Sequence, residues 1–474
     1  MRGVEERGSA EQLRCVFIFR RDFRLHDNPA WAACTAHCRE TGGRACPVFI
    51  FDDRQILAEN NPYFSARAFS AMLDFLDDLD ARLRGGGHRG LTRLSHRASS
   101  SDADLLAAMH AAAPIHAVFY NADVTPFARD RDARIRAWCE AAGVRCVTDE
   151  DVGEARAYTL WPVGSVLSRA GAPFKAFGPF HAACADRRVA RAPKAERAGG
   201  QTAPRSSKRG RGAVVGAWAR WAAPGSARLR RRLVSPTAAG TSNVRTYAAA
   251  EGAAILRAVA RGDFDDYHET RDDFTRDDGT LRVSVYLKFG TVSTAELHAA
   301  LEKRKREGAE ALIRQLIWRE FYYHLAAGYP EVLGGGKTAN AHIRPDRQRI
   351  AWPNGERDRQ KRAAWASGTT GQPLVDAAMR RLAAEGWLHN RLRMTVASHL
   401  VKAMRQDWRA GERLLARMLV DYDPAQNSGG WQSMDAQMDA RAIKAGAQAR
   451  RFDRRGEWVA AMRALENKSS SSDQ

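Results

Sequence analysis

The sequence predicts an α/β domain built on a doubly wound, Rossmann-like parallel sheet, followed by a larger all-α domain. Short apolar runs alternate with helical patterns up to about residue 150, which is typical of a parallel sheet covered on both faces. From about residue 244 the pattern is almost entirely helical, and glycines stand at the expected helix ends. We therefore expect an α/β domain over residues 14–150 and a domain of more than ten helices over residues 244–463.

Four strands are predicted where short runs rich in Val, Ile and Phe stand between helical patterns. They lie at 15–19, 47–51, 116–120 and 144–147. The helical patterns between them cover 29–40, 64–84, 102–111 and 127–142. The first strand is followed by RRDFRLHDNPA (20–30) and not by G-x-G-x-x-G. The fold alone therefore does not identify a cofactor.

A long connector over residues 151–243 joins the two domains. We expect a short helix at 174–184 and a disordered tract at about 187–235, because that tract is too poor in apolar residues to stay folded. Its basic run is interpreted either as a nuclear signal or DNA tether, or as a solvated insertion. Residues 464–474 are expected to form a disordered tail.

Charge and cysteine usage indicate the class of partner and the compartment. The formal net charge of +20 suggests a polyanion such as nucleic acid, although the 187–232 tract alone holds fourteen Lys and Arg against one acid. Seven cysteines without paired spacing favour a reducing compartment and no metal site. No apolar run is long enough for a membrane helix, and the first fourteen residues do not resemble a leader. We expect a soluble intracellular protein, cytoplasmic or nuclear, with an organellar location left open.

The region 386–432 combines features that a plain packing helix does not need. Helical spacing over 389–404 places several polar groups and one thioether on a single turn. Two tryptophans follow. Between them lie an acidic pair and an asparagine, and the asparagine is expected in a Gly-rich loop. The residues concerned are Asn390, Arg391, Arg393, Met394, Trp408, Asp421, Asp423, Asn427 and Trp431.

Several blocks, in this order along the chain, resemble the photolyase/cryptochrome family. They are RRDFRLHDNPA, NADVTPFARDRD (121–132), DDGTLRVSVYLKFGTVS (277–293), LIRQLIWREFYYHL (312–325) and WASGTTGQPLVDAAMRRL (365–382). The resemblance implies an FAD enzyme that repairs ultraviolet-damaged DNA with light, or a cryptochrome photoreceptor. It also implies an antenna chromophore, a folate or a deazaflavin, in the α/β domain.

The family pattern also implies the residues that bind FAD. A Gly279-led turn into a helix can offer backbone N–H groups to a pyrophosphate, although the residues alone would favour an ordinary N-capped helix. Leu281 departs from the serine that the family often has there. Asp421 and Asp423 match the family's acidic pair near the flavin ring, and Asp421 can pair with Arg393. The implied FAD-binding residues are Tyr267, Thr280, Leu281, Arg282, Val283, Ser284, Arg319, Arg393, Asp421, Tyr422, Asp423 and Asn427.

Catalytic roles are implied for four residues. Asn427 matches the residue beside flavin N5, where an amide can hydrogen-bond to a reduced flavin, and where plant cryptochromes have Asp and insect ones Cys. Trp352, Trp408 and Trp431 match the three tryptophans that pass electrons from the surface to the flavin. On residue type alone, these tryptophans would be interpreted as core aromatics.

The lesion-contacting positions favour cyclobutane pyrimidine dimers. In the (6-4) branch, Asn390 and Met394 would typically be histidines, one of which is the proton donor that the (6-4) reaction needs. Two departures from the cyclobutane-dimer pattern are Gln315, usually Glu, and Ser433, usually a second pocket tryptophan. The implied DNA-contacting residues are Gln315, Trp318, Tyr322, Asn390, Arg391, Met394 and Gln448.

The sequence therefore predicts a monomeric enzyme that splits cyclobutane pyrimidine dimers by electron transfer from excited reduced FAD. The first alternative is a cryptochrome-like photoreceptor without repair activity, which Gln315 and Ser433 would suit. A (6-4) photolyase is the second alternative, and the absence of both histidines speaks against it.

Overall fold

The computed structural model describes residues 13–190, 217–234, 245–333, 350–436 and 443–470. The α/β domain contains one parallel sheet of five strands in the order β3-β2-β1-β4-β5. The strands are β1 (Arg14–Phe19), β2 (Arg44–Asp52), β3 (Thr92–His96), β4 (Ala117–Tyr120) and β5 (Arg145–Thr148). The strand order reverses between β1 and β4, so the doubly wound sheet expected from the sequence is confirmed.

Strand β3 was missed by the sequence analysis, which predicted four strands. Its sequence TRLSH alternates polar and apolar residues and buries only Leu94 and His96. It is the last hydrogen-bonded strand on its side of the sheet, so it lacks the continuous apolar run that identifies the central strands.

Helices cover both faces of the sheet. Their N-termini are capped by side chains of Asn28, Asp52, Ser65, Ser101 and Thr125, which accept hydrogen bonds from first-turn amides. The helices are α1 (Pro29–Thr41), α2 (Asp53–Ile56), α3 (Ala66–Gly85), α4 (Asp102–Ala112) and α5 (Pro126–Ala141).

The two faces of β1 lie in different hydrophobic cores. Val16 and Ile18 pack under α4 and α5. Phe17 and Phe19 belong to a larger core that continues through the connector into the helical domain. The two domains therefore share one core.

A charged cluster lies buried at the carboxyl ends of β2 and β3. Arg54 pairs with Asp52 at 2.6 Å. His96 Nε2 lies 2.8 Å from Asp102 Oδ1, and its Nδ1 lies 3.0 Å from the carbonyl oxygen of Arg97. Since both ring nitrogens face oxygen acceptors, the protonated imidazolium satisfies both contacts.

The connector contains α6 (Phe177–Cys184), which confirms the helix expected at 174–184. Part of the tract expected to be disordered is folded: α7 spans Ser226–Leu233 and packs against α3. Trp218 is buried and donates to the Met109 carbonyl at 3.1 Å, and Ala222 forms an antiparallel bridge with Leu94 at the outer edge of β3. These contacts could not be predicted, because the composition of the tract as a whole is polar and basic. The rest of the tract, 191–216, lies outside the described residues.

The helical domain has twelve described α-helices, which confirms the expectation of more than ten. They are α8 (Ala249–Arg261), α9 (Tyr267–Thr270), α10 (Ser284–Lys288), α11 (Thr294–Glu302), α12 (Glu307–Gly328), α13 (Glu356–Ser367), α14 (Pro373–Glu385), α15 (Asn390–Ser398), α16 (Trp408–Met418), α17 (Pro424–Ala436), α18 (Ala445–Phe452) and α19 (Glu457–Ser470).

Two boundaries in this domain differ from the sequence prediction. The helix expected over 389–404 is α-helical only to Ser398 and continues as one π-helical turn, His399–Ala403. The tail expected from residue 464 is helical up to Ser470, because α19 extends past the predicted boundary. Within the described ranges, no helix is both long and apolar enough to span a bilayer.

Candidate functional site

One face of α12 presents Gln315, Trp318 and Tyr322, which are spaced three and four residues apart and therefore lie on one side of the helix. All three are half-buried. The Tyr322 hydroxyl lies 3.4 Å from the Ser433 hydroxyl. Gly429 permits this approach, because a Cβ there would lie 2.2 Å from Tyr322 Cδ1.

The first turn of α15 presents the side chains of the HNRLRM motif. His389 caps this helix by accepting from the Arg391 amide at 3.1 Å. Asn390 is exposed and its amide nitrogen lies 3.7 Å from the Met394 sulfur. Arg391 pairs with Asp272 at 2.5 Å. Burial lowers the pKa of His389 to about 4, so its ring is neutral near pH 7.

The turn that precedes α10 has an unusual backbone. Arg282 has a φ of 47°, in the left-handed region that non-glycine residues rarely adopt. Its guanidinium stacks 4.4 Å from the centre of the Trp387 ring and donates to Asp277 at 2.7 Å. Backbone strain of this kind is concentrated at functional sites.

An ion pair and an amide contact lie beside this turn and α17. The Arg393 guanidinium donates to both carboxylate oxygens of Asp421, at 3.0 and 2.8 Å, as the sequence analysis expected. Asn427 lies within α17 and not in a loop, because Asp423 caps a helix that continues through Gly429 and Gly430. The Asn427 amide donates to the carbonyl and carboxylate oxygens of Glu412, each at 3.1 Å.

Glu412 is the more deeply buried of the two acids in this arrangement. Burial raises the pKa of Glu412 to about 7. The hydroxyl of Tyr63, from the α/β domain, also donates a hydrogen bond to Glu412. A chain of hydrogen bonds therefore runs from Asn427 through Glu412 to Tyr63.

The three candidate electron-transfer tryptophans lie in one hydrophobic core. Trp408 and Trp431 are buried, and the half-buried Trp352 packs against the same cluster. Trp431 lies directly over Gly411, where a Cβ would approach Trp431 Cη2 to 2.3 Å. Its ring centre is also 6.2 Å from that of Trp365, at an interplanar angle of 77°.

A second charged cluster lies between the domains. Asp423 accepts from Arg21 at 3.1 Å and from the Tyr323 hydroxyl, and Arg21 also pairs with Asp123 at 2.8 Å. Burial alone would raise the pKa of Asp423, but Arg21 and Lys288 hold it below its ordinary value. Burial lowers the pKa of Lys288 to about 8.

Two family models match the chain: one described as DNA photolyase over residues 15–197, and one described as the FAD binding domain of DNA photolyase over residues 312–471. A deoxyribodipyrimidine photo-lyase of Streptomyces griseus is 34% identical, over 94% of this chain and 88% of that protein. The chain belongs to the DNA photolyase family. A deoxyribodipyrimidine photo-lyase of Alkalihalophilus pseudofirmus is 30% identical, over 95% of this chain and 87% of that protein.

A solved structure agrees with this assignment to the photolyase family. The archaeal photolyase of Sulfolobus tokodaii, solved with two FAD molecules, superimposes with a TM-score of 0.70. It is 27% identical, and the match covers 94% of this chain and 89% of that one. FAD is accordingly the cofactor of this photolyase, and its binding domain is the helical one.

The residues beside the Gly279 turn fit the anionic part of FAD. Arg282 Nε, His389 Nε2 and Arg391 Nε are buried donors without a hydrogen-bond partner in the described part of the chain. A pyrophosphate would accept from such donors and from the free amides at the start of α10. Tyr267, which opens α9, is buried nearby, and burial raises its pKa to about 12.

The sequence-predicted residues of this photolyase fall into separate groups. Those expected to contact DNA lie on α12, on the start of α15 and, for the half-buried Gln448, on α18. Two residues expected to bind FAD have side-chain contacts at the boundary between the domains. Arg319 donates to the Tyr158 carbonyl and stacks on Tyr323, and Asp423 faces the cluster between the domains. Tyr422 stacks on Tyr63, with ring centres 6.1 Å apart.

Several residues of the site could not be identified from the sequence. Arg21 belongs to the RRDFRLHDNPA motif, but its contacts lie more than one hundred and up to 402 positions away along the chain. Glu412 gave one usable signal, because an acid on the apolar face of an amphipathic helix is rarely buried without a polar partner. Tyr63 gave no signal in the sequence, because it lies in a loop of the other domain.

Proposed function

We propose that this photolyase repairs cyclobutane pyrimidine dimers in DNA by light-driven electron transfer. The observation that carries the proposal is the first turn of α15, where Asn390 and Met394 face each other at 3.7 Å. The adjacent His389 is buried and neutral near pH 7, because its pKa is about 4. Splitting a (6-4) lesion requires a proton donor, and splitting a cyclobutane dimer does not.

When bound and reduced, FAD would supply the light-driven one-electron chemistry that splits the dimer. The chain supplies binding and orientation. Arg393 and Asp421 form a fixed pair beside the ring-binding region, and Arg282, His389 and Arg391 offer donors to the phosphates. Asn427, held by Glu412, supplies a neutral amide oxygen as a fixed polar group.

The proposed lesion contacts follow from the side chains on one face of α12. Trp318 offers an apolar ring to a flipped-out base, and Gln315, one turn earlier, can hydrogen-bond to its edge. The half-buried Arg391 and the exposed arginines around it would contact the phosphates of DNA, which makes DNA binding salt-dependent. Ultraviolet-damaged DNA is therefore the proposed partner, and a monomer is the proposed functional form.

Photoreduction of the cofactor is proposed to use Trp431, Trp408 and the half-buried Trp352. Placement of all three in one core supports this route, because stepwise transfer needs neighbouring oxidisable rings. An antenna chromophore in the α/β domain, either a folate or a deazaflavin, stays a prediction. Its test is the absorption spectrum of the purified protein, in which bands additional to those of FAD are expected.

The decisive test is a repair assay on two oligonucleotides that differ only in their lesion. The photoreduced protein is incubated under blue light with a thymine cyclobutane dimer or with a (6-4) photoproduct. We expect restoration of the first and not the second. A protein that binds FAD but leaves the cyclobutane dimer intact would contradict the proposal.

The second candidate function is a blue-light receptor without repair activity. The Ser433 hydroxyl favours it, because it stands against Tyr322 where a second aromatic wall is usual. A receptor should bind dimer-containing and undamaged DNA equally well. A clear preference for the damaged oligonucleotide in a binding titration would exclude this function.

A further inference from the structure

An aromatic side chain of the connector covers one face of Trp318. The rings of Phe177 and Trp318 are parallel, with centres 3.5 Å apart and an interplanar angle of 3°. Phe177, the first residue of α6, is 8% exposed, whereas Trp318 is half-buried. Phe177 therefore covers one face of the indole, and the exposure of Trp318 comes from its other face and its edges.

The surroundings hold Phe177 in this position. The Phe321 ring meets it edge-on, with centres 6.1 Å apart at 83°, and the Arg314 guanidinium lies 5.1 Å from its centre. Two free aromatic rings prefer an offset or edge-to-face arrangement over a face-to-face pair. Packing around α6 therefore imposes the stack, and the stack fixes the plane of the Trp318 indole.

We propose that Phe177 is a positioning residue for the lesion. It locks Trp318 in one orientation and leaves a single face for the flipped-out dimer, which offsets the missing second wall at Ser433. This inference rests on the proposed function. The physical reason is preorganisation: a ring that is already held loses less conformational freedom when a base stacks on it.

The test compares two substitutions in the same connector. Phe177→Leu removes the ring that stacks on Trp318, whereas Phe174→Leu removes a ring that packs on Phe180 instead. Dissociation constants are measured for a thymine-dimer oligonucleotide and for its undamaged counterpart. We expect F177L to weaken dimer binding about 5- to 10-fold, at the lower end of the loss of a base–aromatic stack.

F177L should leave binding of undamaged DNA, FAD content and cofactor photoreduction unchanged. F174L should retain the damage preference of the wild type, and F177Y, which keeps the ring, should do so as well. If F177L does not fold, Phe177→Met serves as the second variant, because it is apolar and of similar volume. Equal damage preference in wild type and F177L, or equal losses in F177L and F174L, would overturn the inference.

A double-mutant cycle tests whether Phe177 acts through Trp318. In a Trp318→Ala background, F177L should have no further effect on dimer binding, because the ring it positions is gone. An undiminished effect in that background would also overturn the inference. If the wild type itself does not repair the dimer, the proposed function fails and this inference with it. If the wild type repairs and F177L keeps its preference, the inference alone fails.

Discussion

Gly411 offers a direct test of how closely Trp431 packs against α16. A Cβ at this position would lie 2.3 Å from Trp431 Cη2 and 2.6 Å from Leu400 Cδ2, whereas ordinary contact begins near 3.4 Å. The substitution Gly411→Ala therefore requires the indole to move by about 1 Å in a close-packed core. We expect a protein no more stable than the wild type. FAD should be photoreduced more slowly in it, because the moved ring belongs to the proposed electron-transfer route.

The expected change in the free energy of unfolding follows from comparison with Gly430→Ala on α17. Gly430 is exposed, and nothing lies within 4 Å of the Cβ it would acquire. Both substitutions gain about 1 kcal/mol in helix propensity. Only G411A has the overpacking cost of about 1–3 kcal/mol, so the two variants should differ by about that amount.

Thermal unfolding of the FAD-bound variants measures this difference, and blue-light photoreduction followed by absorbance measures the effect on the relay. The expected order of melting temperatures is G430A above wild type, with G411A at or below wild type. A G411A protein as stable as G430A, photoreduced at the wild-type rate, would refute the packing argument.

Three further substitutions test charged groups. Burial alone would lower the pKa of His96, but its hydrogen bonds to Asp102 and to the Arg97 carbonyl, together with the charges of Asp102 and Asp52, outweigh this and raise the pKa. This stabilisation is complete below the unfolded pKa of about 6.5 and is lost as pH rises through the folded one, so His96→Gln should lower the melting temperature more at pH 5.5 than at pH 8.5. Asp421→Asn breaks the pair with Arg393 and should cost about 3 kcal/mol and release FAD, measured as cofactor content after gel filtration. Burial raises the pKa of Glu412 to about 7, so the wild type should lose stability relative to Glu412→Gln as pH rises from 5 to 8. A constant difference between the melting temperatures of the two proteins across this range would contradict this expectation.

Elements with a strong local pattern could be predicted from the sequence. The central strands are continuously apolar, and the capped helices α1, α4 and α5 start within a residue of their predicted positions. Strand β3 could not be recognised, because TRLSH has few apolar residues and its pairing with β2 is a tertiary contact. The folded end of the basic tract was missed for a similar reason: Trp218 and Leu229 are isolated apolar residues among arginines and glycines.

In the candidate site, the sequence predicted residue types better than their contacts. The pair of Arg393 with Asp421 was foreseen, because both residues belong to one motif region. The contact of Asn427 with Glu412 was not, because it depends on how α16 and α17 pack. The interaction of Arg21 with Asp423 joins residues 402 positions apart, and no local pattern contains such information.

The folded segment 217–234 also bears on how the two domains can move. The chain leaves the α/β domain after β5, packs α6 against α12, and returns to lay α7 on α3 before α8 begins the helical domain. The chain therefore crosses the boundary between the two domains three times, and the domains share one core. Both features oppose hinge bending, since a hinge needs few connections and a weak interface. Any pigment held by the sheet would therefore keep a constant distance and orientation relative to the flavin, and the efficiency of excitation transfer between two dyes depends on both.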